Sequence, residues 1–273
     1  MDRVFFHFLL LALTATPFAL AQSPSSLPSS PSPSLPAGSV AGPATTPPTL
    51  SAEERAARIK AHQEQMLRDW PNLTRFRSAN ATITRAEVVF MGDSITELWG
   101  RQPEQFFPGK PYVNRGIGGQ TTPQMVLRFQ QDVVDLKPRV VVINGGTNDI
   151  AGNTGPSTLK MIEDNLKSMT EIAQANGIQV VLASVTPAYD YPWRRGLEPA
   201  EKVVELNNWM KDFCVKAGCV YADYFTSMAN EKHGMKEGLS VDGIHPTPEG
   251  YRIMSPIAEK AIQDALEKKL AAQ

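Results

Sequence analysis

The stretch RVVVIN, residues 139 to 144, decides the fold class, because its apolar side chains stand at consecutive positions rather than at every second one. A strand with this pattern is buried on both faces, as in the middle of a parallel sheet. Four more short apolar runs follow or precede it: AEVVFM (86–91), YVN (112–114), IQVVLAS (178–184) and CVYAD (219–223). Longer amphipathic stretches separate these runs, and the alternation predicts an α/β fold with a five-stranded parallel sheet.

The stretches between the runs predict the helices that cover the sheet. The main ones lie at about 121–135, 157–175, 200–217 and 248–270. Right-handed crossovers place such helices on both faces of the sheet, which makes a three-layer α/β/α sandwich, and the simplest strand order is the flavodoxin-like 2-1-3-4-5. No repeat of fixed period is visible, so solenoids and propellers are excluded.

Residues 1–21 have the pattern of a secretory signal peptide, with an apolar run over 4–20 that leads into the small-residue motif ALA. The alternative is a retained membrane anchor, but the run is short for a span of roughly 20 residues and is interrupted by His7 and Pro17. No cysteine follows the small residues, so a lipoprotein anchor is not indicated. We predict cleavage after Ala21 and export to the periplasm or out of the cell.

Residues 22–50 are nearly all Ser, Pro, Ala, Thr and Gly. This composition buries too little apolar surface to offset the entropy of ordering the segment, so we predict a disordered linker. The remaining chain, 51–273, is long enough for one domain. Ser51 and Glu54 have the spacing of a capping box, which predicts a helix at the start of this domain, ending near Asp69.

Charge and cysteine content limit the partners of the chain. The net charge is −1, which gives no reason to expect a nucleic acid or an anionic membrane surface as a partner. Cys214 and Cys219 stand either side of Gly218, and in an exported protein they are either a short disulfide or two buried thiols. Two cysteines and four scattered histidines do not make a metal site, and we predict none.

Ligands bind outside the carboxyl ends of the strands in an open α/β sheet, so the residues after each apolar run are the candidates for chemistry. GDSITELW (92–99) follows the first run. Gly92 allows a sharp turn, and Ser94 then stands at the start of a short helix, where its hydroxyl faces the edge of the sheet. The alternative for Ser94 is a helix N-cap, a common role of serine.

Two glycine-rich segments supply candidate hydrogen-bond donors. NRGIGGQTT (114–122) follows the second run, and GGTND (145–149) follows the third. Glycines leave backbone N–H groups unshielded, and Asn148 offers a side-chain NH2 donor unless it merely forms an Asx-turn. Each segment is a weak signal when taken alone.

The last loop, VDGIHPTPEG (241–250), carries Asp242 and His245 directly before the final helix. A serine hydroxyl needs a base that titrates near neutrality, which is histidine, held in one tautomer by a carboxylate. The alternative is a surface turn, since Asp-Gly favours turns and Thr-Pro favours a helix start. Both interpretations are compatible, and with Ser94 the pair completes the groups needed for acyl transfer.

At these segments the sequence resembles the SGNH hydrolases, also called the GDSL esterase/lipase family, whose four blocks carry Ser, Gly, Asn and an Asp-x-x-His pair in this order. The corresponding blocks here are GDSI, GIGG, GTND and DGIH. The resemblance extends from about Val88 to Ile262. It is nearest to the branch that includes platelet-activating-factor acetylhydrolase catalytic subunits and lysophospholipase-like esterases.

The resemblance implies a role for each residue and a reaction that needs no cofactor. Ser94 would attack the acyl carbon, His245 would take its proton, and Asp242 would orient His245. The oxyanion would be bound by the backbone N–H groups of Ser94 and Gly119 and by the side chain of Asn148.

The second block departs from the family at Gln120, where aspartate is frequent. The departure bears on the hydrogen bonds that hold Gly119, although not on the backbone donor itself. Of the two neighbouring glycines, Gly119 rather than Gly118 is expected to donate.

The loop TPAYDYPWRRGLEP (186–199) follows the fourth run, and it is the candidate substrate-binding segment through Tyr189, Tyr191, Trp193 and Arg194. Aromatic and arginine side chains stack on sugars or bind anionic groups. The alternative is a solvated loop fixed by its prolines. We expect short-chain, O-acetyl esters of cell-surface or plant polysaccharide as substrates, while the resemblance equally allows lysophospholipids.

Two further functions remain open on the sequence. The same residues would serve an acyltransferase that passes the acyl group to a sugar hydroxyl instead of water. A flavodoxin-like binding module would hold a phosphate or flavin at the N-terminus of the GDSIT helix, but it leaves Asp242 and His245 without a role.

Overall fold

The computed structural model describes residues 51–101 and 106–271. The predicted signal peptide and the predicted linker therefore lie outside the described residues. Within the two described ranges, no helix has both the length and the apolar content needed to cross a bilayer.

The sheet is built from five strands: β1 (Val88–Gly92), β2 (Tyr112–Gly116), β3 (Val140–Asn144), β4 (Gln179–Ala183) and β5 (Val220–Ala222). Their order is β2-β1-β3-β4-β5, and every pairing is parallel. The predicted fold class and strand order are thereby confirmed.

Two helical layers cover the sheet. The helices of the described residues are α1 (Ala52–Arg68), α2 (Arg77–Thr82), α3 (Ser94–Leu98), α4 (Thr122–Asp132), α5 (Thr147–Ile150), α6 (Leu159–Ala175), α7 (Ala200–Ala217), α8 (Tyr224–Met228) and α9 (Pro248–Ala271). Helices α4, α6 and α7 pack on one face of the sheet, and α3, α8 and α9 pack on the other.

Strand β3 shows why its consecutive apolar residues predict a central strand. Val141 and Ile143 face the core formed with α4, α6 and α7, whereas Val140 and Val142 face the core formed with α3 and α9. All four side chains are at most 1% exposed. Neither face of this strand meets water, so no polar position alternates with the apolar ones.

The register places three strand ends side by side. Gly92, the last residue of β1, pairs with Gly116 at the end of β2 and with Asn144 at the end of β3. The segments that follow these strands therefore leave the sheet at one edge, where sites form in open α/β sheets.

The ends of two helices follow the local sequence. At α1 the predicted capping box is present: the Ser51 hydroxyl accepts the N–H of Glu54, and the Glu54 carboxylate accepts the N–H of Ser51. The helix predicted over about 121–135 is divided into α4 and a 3₁₀ turn, Val134–Leu136. A non-helical backbone at Val133 separates the two.

The two cysteines form a disulfide between the end of α7 and the start of β5. Helix α7 stops at Gly218, which takes a left-handed conformation with φ of 75° and turns the chain back toward the sheet. Cys214 and Cys219 thereby come together, which decides the alternative that the sequence leaves open.

Candidate active site

Ser94 is the first residue of α3, directly past the turn that ends β1. A Cβ at Gly92 would lie 2.0 Å from Thr96 Oγ1, so the turn requires glycine. The N-cap of α3 is Asp93, whose Oδ1 accepts the N–H of Ile95 at 2.9 Å. The interpretation of Ser94 as the N-cap is therefore wrong, and its hydroxyl is available to another partner.

That partner is His245, which lies 151 positions away along the chain. The Nε2 atom of His245 is 2.9 Å from Ser94 Oγ, and its Nδ1 atom is 2.7 Å from Asp242 Oδ2. A carboxylate only accepts hydrogen bonds, so Nδ1 carries a proton and Nε2 of the neutral ring is the acceptor for the serine hydroxyl. The three side chains predicted from three separate positions form one continuous hydrogen-bonded chain.

The Asp242 carboxylate is held ionised by its own loop. Burial by itself would raise its pKa, but hydrogen bonds from the backbone and ring of His245 and from the N–H of Ile244 outweigh burial and leave the pKa below its ordinary value. Oδ1 accepts the two backbone N–H groups at 2.8 and 3.0 Å. The other oxygen is left to orient the imidazole.

The glycine loop after β2 presents one unpaired backbone donor. The N–H of Gly118 donates to Glu97 Oε2 at 2.8 Å. Gly119 has a left-handed φ of 77°, and its N–H has no hydrogen-bond partner among the described residues, as is also true of the N–H of Ser94. The structure therefore distinguishes the two glycines and leaves Gly119 as the one with a donor to offer.

Asn148 lies in the short helix α5, and its side chain reaches across the site rather than closing an Asx-turn. Its Nδ2 donates to the carbonyl of Gln120 at 3.0 Å and to Asp93 Oδ2 at 3.3 Å. The side chain is almost fully buried. Asn148 therefore joins the turn that carries Ser94 to the loop that carries Gly119.

Asn153 is a residue that sequence reasoning missed. Its Nδ2 donates to Asn148 Oδ1 at 2.8 Å and to the carbonyl of Gly119 at 3.3 Å, while its Oδ1 accepts from Trp193 Nε1 at 3.2 Å. One carboxamide thus contacts the residues that carry two of the predicted oxyanion donors. It lies outside the four blocks, and an asparagine in a turn gives no signal of such a role.

The Gln120 side chain is held by a hydrogen bond from a buried arginine, Arg128. Arg128 donates through Nε to Gln120 Oε1, through Nη1 to Asp132 and through Nη2 to the carbonyl of Gly92, at 2.5, 3.1 and 3.0 Å. Gln120 Nε2 in turn donates to the carbonyl of Pro71. The neutral carboxamide at this position of the second block both accepts from the arginine and donates to the N-terminal segment, which a carboxylate does not do.

Asp93 is the buried acid closest to the predicted oxyanion donors. Burial raises its pKa to about 7, although the hydrogen bond from Ile95 and the charge of His245 act in the opposite direction. Its Oδ2 faces the Nδ2 atom of Asn148. The charge on this carboxyl group therefore changes near neutral pH beside a group that is predicted to stabilise an anion.

Two residues of the predicted substrate loop make structural contacts, and for the buried Tyr191 the predicted substrate role is wrong. Tyr191 is 0% exposed, and its hydroxyl accepts from Thr147 Oγ1, so it packs in the core instead of facing a substrate. Arg194 donates through Nη1 to the carbonyls of Ala151 and Gly152, so it caps the end of α5. Loop composition alone does not show which side chains turn inward.

Trp193 and Tyr189 are also exposed, at different places. The Trp193 ring is 44% exposed, and its centroid lies 6.2 Å from that of His245. Tyr189 is 61% exposed and lines a separate cavity of about 510 Å³ with Asp190 and His233. Trp193 is therefore the residue of the loop that lies beside the Ser94 site.

No metal site is apparent in the part of the chain that the structure describes, because it contains no group of three or more His, Cys, Asp or Glu side chains placed to share an ion. The chemistry available at the site is that of a nucleophile, a base and hydrogen-bond donors.

Comparisons with known proteins show the family of the chain. Residues 90–253 match the sequence model of the GDSL-like Lipase/Acylhydrolase family. A GDSL-like lipase from Bacteroides thetaiotaomicron is 40% identical, with a TM-score of 0.70, over 72% of this chain and 100% of that one. An acetyl-xylooligosaccharide esterase variant from Geobacillus is 22% identical, with a TM-score of 0.52, over 66% of this chain and 95% of that one, and this likeness bears on the fold alone.

A curated relative, an uncharacterized lipoprotein of Bacillus subtilis, is 42% identical over 78 residues, and the match spans 28% of this chain and only 32% of that relative. The family match covers more than half of the chain, and its members are ester hydrolases, so the flavodoxin-like binding module is set aside. The chain belongs to the GDSL-like lipase/acylhydrolase family, the SGNH hydrolases, and is a carboxylic ester hydrolase.

Proposed function

We propose that the chain is an exported esterase that removes short acyl groups, O-acetyl groups above all, through an acyl intermediate on Ser94. The observation that carries the proposal is the pair of contacts at His245, 2.9 Å to Ser94 Oγ and 2.7 Å to Asp242 Oδ2. A serine hydroxyl becomes a nucleophile when a positioned base takes its proton, and both groups are within hydrogen-bonding reach.

In the first half of the reaction, Ser94 Oγ attacks the acyl carbon while its proton passes to His245 Nε2. The tetrahedral intermediate then breaks its bond to the alcohol, which leaves with the proton from His245. In the second half, a water molecule gives a proton to the same nitrogen and attacks the acyl-serine. The second tetrahedral intermediate then breaks its bond to Ser94 Oγ, which takes the proton back from His245 as the acid product leaves, and Asp242 stabilises the imidazolium at both stages.

The oxyanion of the intermediate is stabilised by the backbone N–H groups of Ser94 and Gly119 and by Nδ2 of Asn148. The support for this set is that the two N–H groups have no other partner among the described residues. One bond of Asn148, to Asp93, is long at 3.3 Å and is the one that a nearby anion would replace. Donors held in advance in this way are a large part of the catalysis of acyl transfer.

A short acyl group and an exported enzyme are supported by separate features. The Trp193 ring lies beside His245, with the two ring centroids 6.2 Å apart, and a bulky side chain next to the base favours a small acyl group. The disulfide Cys214–Cys219 is typical of oxidising compartments outside the cytosol, as the apolar run over 4–20 also indicates. We place the catalytic domain at 51–273 with α1 at its start.

The test is a series of p-nitrophenyl esters from acetate upward, measured beside acetylated xylan and lysophosphatidylcholine. We expect the highest kcat/KM for acetate, a steep fall as the acyl chain grows, and release of acetate from the polysaccharide. The Ser94→Ala variant should lose at least about 10⁴-fold in kcat. Ser168→Ala, on α6, is the matched control, because that hydroxyl bonds only its own helix. Undiminished turnover by Ser94→Ala, or a preference for long acyl chains, would overturn the proposal.

A further inference from the structure

A cavity of about 220 Å³ lies beside the candidate oxyanion loop, and α1 and the turn that follows it form one of its walls. Gln65 and Asn72 line it from this N-terminal side, and Gly119 and Asn153 line it from the side of the active site. None of the described residues around this cavity has a charged side chain. The N-terminal wall precedes residue 90, where the family match begins.

The N-terminal wall is fixed to the catalytic domain by backbone carbonyls on either side of Asn72. Three glutamine side chains donate to them: Gln124 to Trp70 at 2.6 Å, Gln120 to Pro71 at 2.8 Å and Gln131 to Leu73 at 2.7 Å. Each carbonyl has a partner from the other side of the cavity or from the helix behind it. These hydrogen bonds fix the N-terminal wall relative to the catalytic domain, so the cavity between them has a defined shape.

Asn72 is held in an unusual conformation with a free side chain. Its φ is 57°, in the left-handed region, which asparagine adopts more readily than most residues other than glycine. Its backbone N–H donates to the carbonyl of Asp69, and its carbonyl accepts from Arg75. The carboxamide, however, has no hydrogen-bond partner among the described residues, and neither has Gln65 Oε1, although both residues line the cavity.

We propose that this cavity is a subsite for a neutral, hydroxyl-bearing ring: one sugar unit of an acylated carbohydrate whose ester lies at Ser94. A carboxamide both donates and accepts hydrogen bonds, as a hydroxyl does. Trp70 lines the same cavity and is the type of side chain that packs against a sugar ring. The inference rests on the proposed function, of which it names the substrate class.

Size and charge separate this ligand from the alternative, a lysophospholipid. The volume of about 220 Å³ is below the roughly 300–1,000 Å³ of pockets that enclose drug-sized ligands, so it suits one ring and not a long acyl chain. A zwitterionic headgroup would leave its charges without partners in a cavity lined by neutral groups, which costs free energy. The cavity therefore selects acylated sugars over charged lipids.

The test compares kcat/KM of Asn72→Gly on acetylated xylooligosaccharides and on p-nitrophenyl acetate. Glycine keeps the left-handed backbone and removes only the carboxamide. We expect kcat/KM for the oligosaccharides to fall about 3- to 10-fold, through KM, as for the loss of one hydrogen bond to a neutral ligand. The rate on p-nitrophenyl acetate, which has no sugar, should not change. Gln63→Ala, an exposed glutamine of α1 outside the cavity, is the matched control and should behave as the unaltered chain.

Four outcomes decide the matter. An unchanged kcat/KM for the oligosaccharides in Asn72→Gly overturns the subsite, and so does an equal fall on both substrates, which would indicate a general disturbance of the fold. Binding of unacetylated xylobiose to Ser94→Ala, measured by calorimetry and weakened by Asn72→Gly, supports it. A chain that binds the sugar but hydrolyses no ester would contradict the proposed function while leaving the subsite in place.

Discussion

At the scale of single residues, the two oxygens of the Asp242 carboxylate act separately. Oδ1 accepts the backbone N–H groups of Ile244 and His245, and Oδ2 faces the ring. Because the loop itself fixes the carboxylate, the tautomer of His245 is set before a substrate binds. The low pKa of Asp242 follows from the same hydrogen bonds, so this orientation persists well below neutral pH.

Asn148→Ala should slow turnover by about 10²- to 10³-fold, as for the loss of one oxyanion donor. KM should change little, because the donor acts on the charge that develops in the transition state. Steady-state kinetics on p-nitrophenyl acetate measure both constants, and circular dichroism checks that the variant folds. Near-normal kcat in a folded Asn148→Ala would show that this side chain does not stabilise the oxyanion.

Asn153→Asp tests whether Asn153 positions Asn148. The substitution keeps the shape and the oxygen that accepts from Trp193, but an ionised carboxylate cannot donate to Asn148 Oδ1 and repels it instead. We expect kcat to fall by roughly 10-fold or more with KM nearly constant, and the ratio of this kcat to that of the unaltered chain to recover partly at acid pH as the new carboxyl takes up a proton. A purely structural role predicts a lower melting temperature without that pH-dependent recovery.

The positions of the side chains explain which of these roles are visible in the sequence. Ser94 can be predicted because its block directly follows a strand end, and His245 because it stands three positions after Asp242, directly before the last helix. Asn153, by contrast, acts through contacts with two distant segments. The assignment of Tyr191 to the substrate site is wrong because whether a loop side chain turns inward depends on the packing beneath it, which local composition does not encode.

At the scale of the elements, the strands are predictable and the shortest helices are not. Strand β3 follows directly from its uninterrupted apolar run. Helices α5 and α8 have four and five residues, too few to show a helical period, and their side chains are held by contacts outside the helix. The bonds from Gln120 and Gln124 to the N-terminal segment likewise join residues about 50 positions apart, which no local pattern indicates.

The disulfide between α7 and β5 should stabilise the fold without affecting catalysis. Cys214 and Cys219 are five positions apart, and closing so short a loop lowers the entropy of the unfolded chain by an amount worth about 2 kcal/mol. Cys219 precedes the amino end of β5, whereas Ser94 follows the carboxyl end of β1. The disulfide and the nucleophile therefore lie at opposite ends of the parallel strands.

Chemical denaturation with and without dithiothreitol measures this contribution. The reduced chain should unfold with a free energy lower by about 2 kcal/mol and should retain its kcat. A Cys214→Ala, Cys219→Ala double variant is the control, because the reductant should not alter its unfolding. An equal response of both proteins to the reductant would assign the effect to something other than this bond.

At the scale of the whole molecule, the parallel topology brings the site together. Gly92, Gly116 and Asn144 end neighbouring strands in register, so the turns that follow them converge at one edge of the sheet. The loop with His245 reaches the same edge because α9 packs on the face beneath Ser94, where the Tyr251 hydroxyl donates to the carbonyl of Ile95. The convergence is predictable from strand order, while the distances within it depend on packing.

The pH dependence of global stability should reflect the burial of Asp93. Its pKa is raised from 3.8 to about 7 in the folded chain, so between these values the folded state binds a proton that the unfolded state has released. Stability then falls as pH rises: the favourable contribution is complete below pH 3.8 and is lost as pH passes through about 7. The integrated effect is at most on the order of 4 kcal/mol.

Asp149 is also buried with a raised pKa. The pH dependence of the free energy of unfolding of the unaltered chain therefore contains both contributions, and that of Asp93 is obtained by comparison with Asp93→Asn. The variant cannot ionise at this position, and its free energy of unfolding should decline less between pH 4 and pH 7 than that of the unaltered chain. It should also lose activity. If the new amide keeps its oxygen on the N–H of Ile95, its NH2 group faces the Nδ2 donor of Asn148; if it turns over, it loses the hydrogen bond from Ile95. Urea titrations at several pH values measure the free energy of unfolding of both proteins as a function of pH. Parallel curves would mean that Asp93 is ionised throughout this range and that the oxyanion donors lie beside a permanent negative charge.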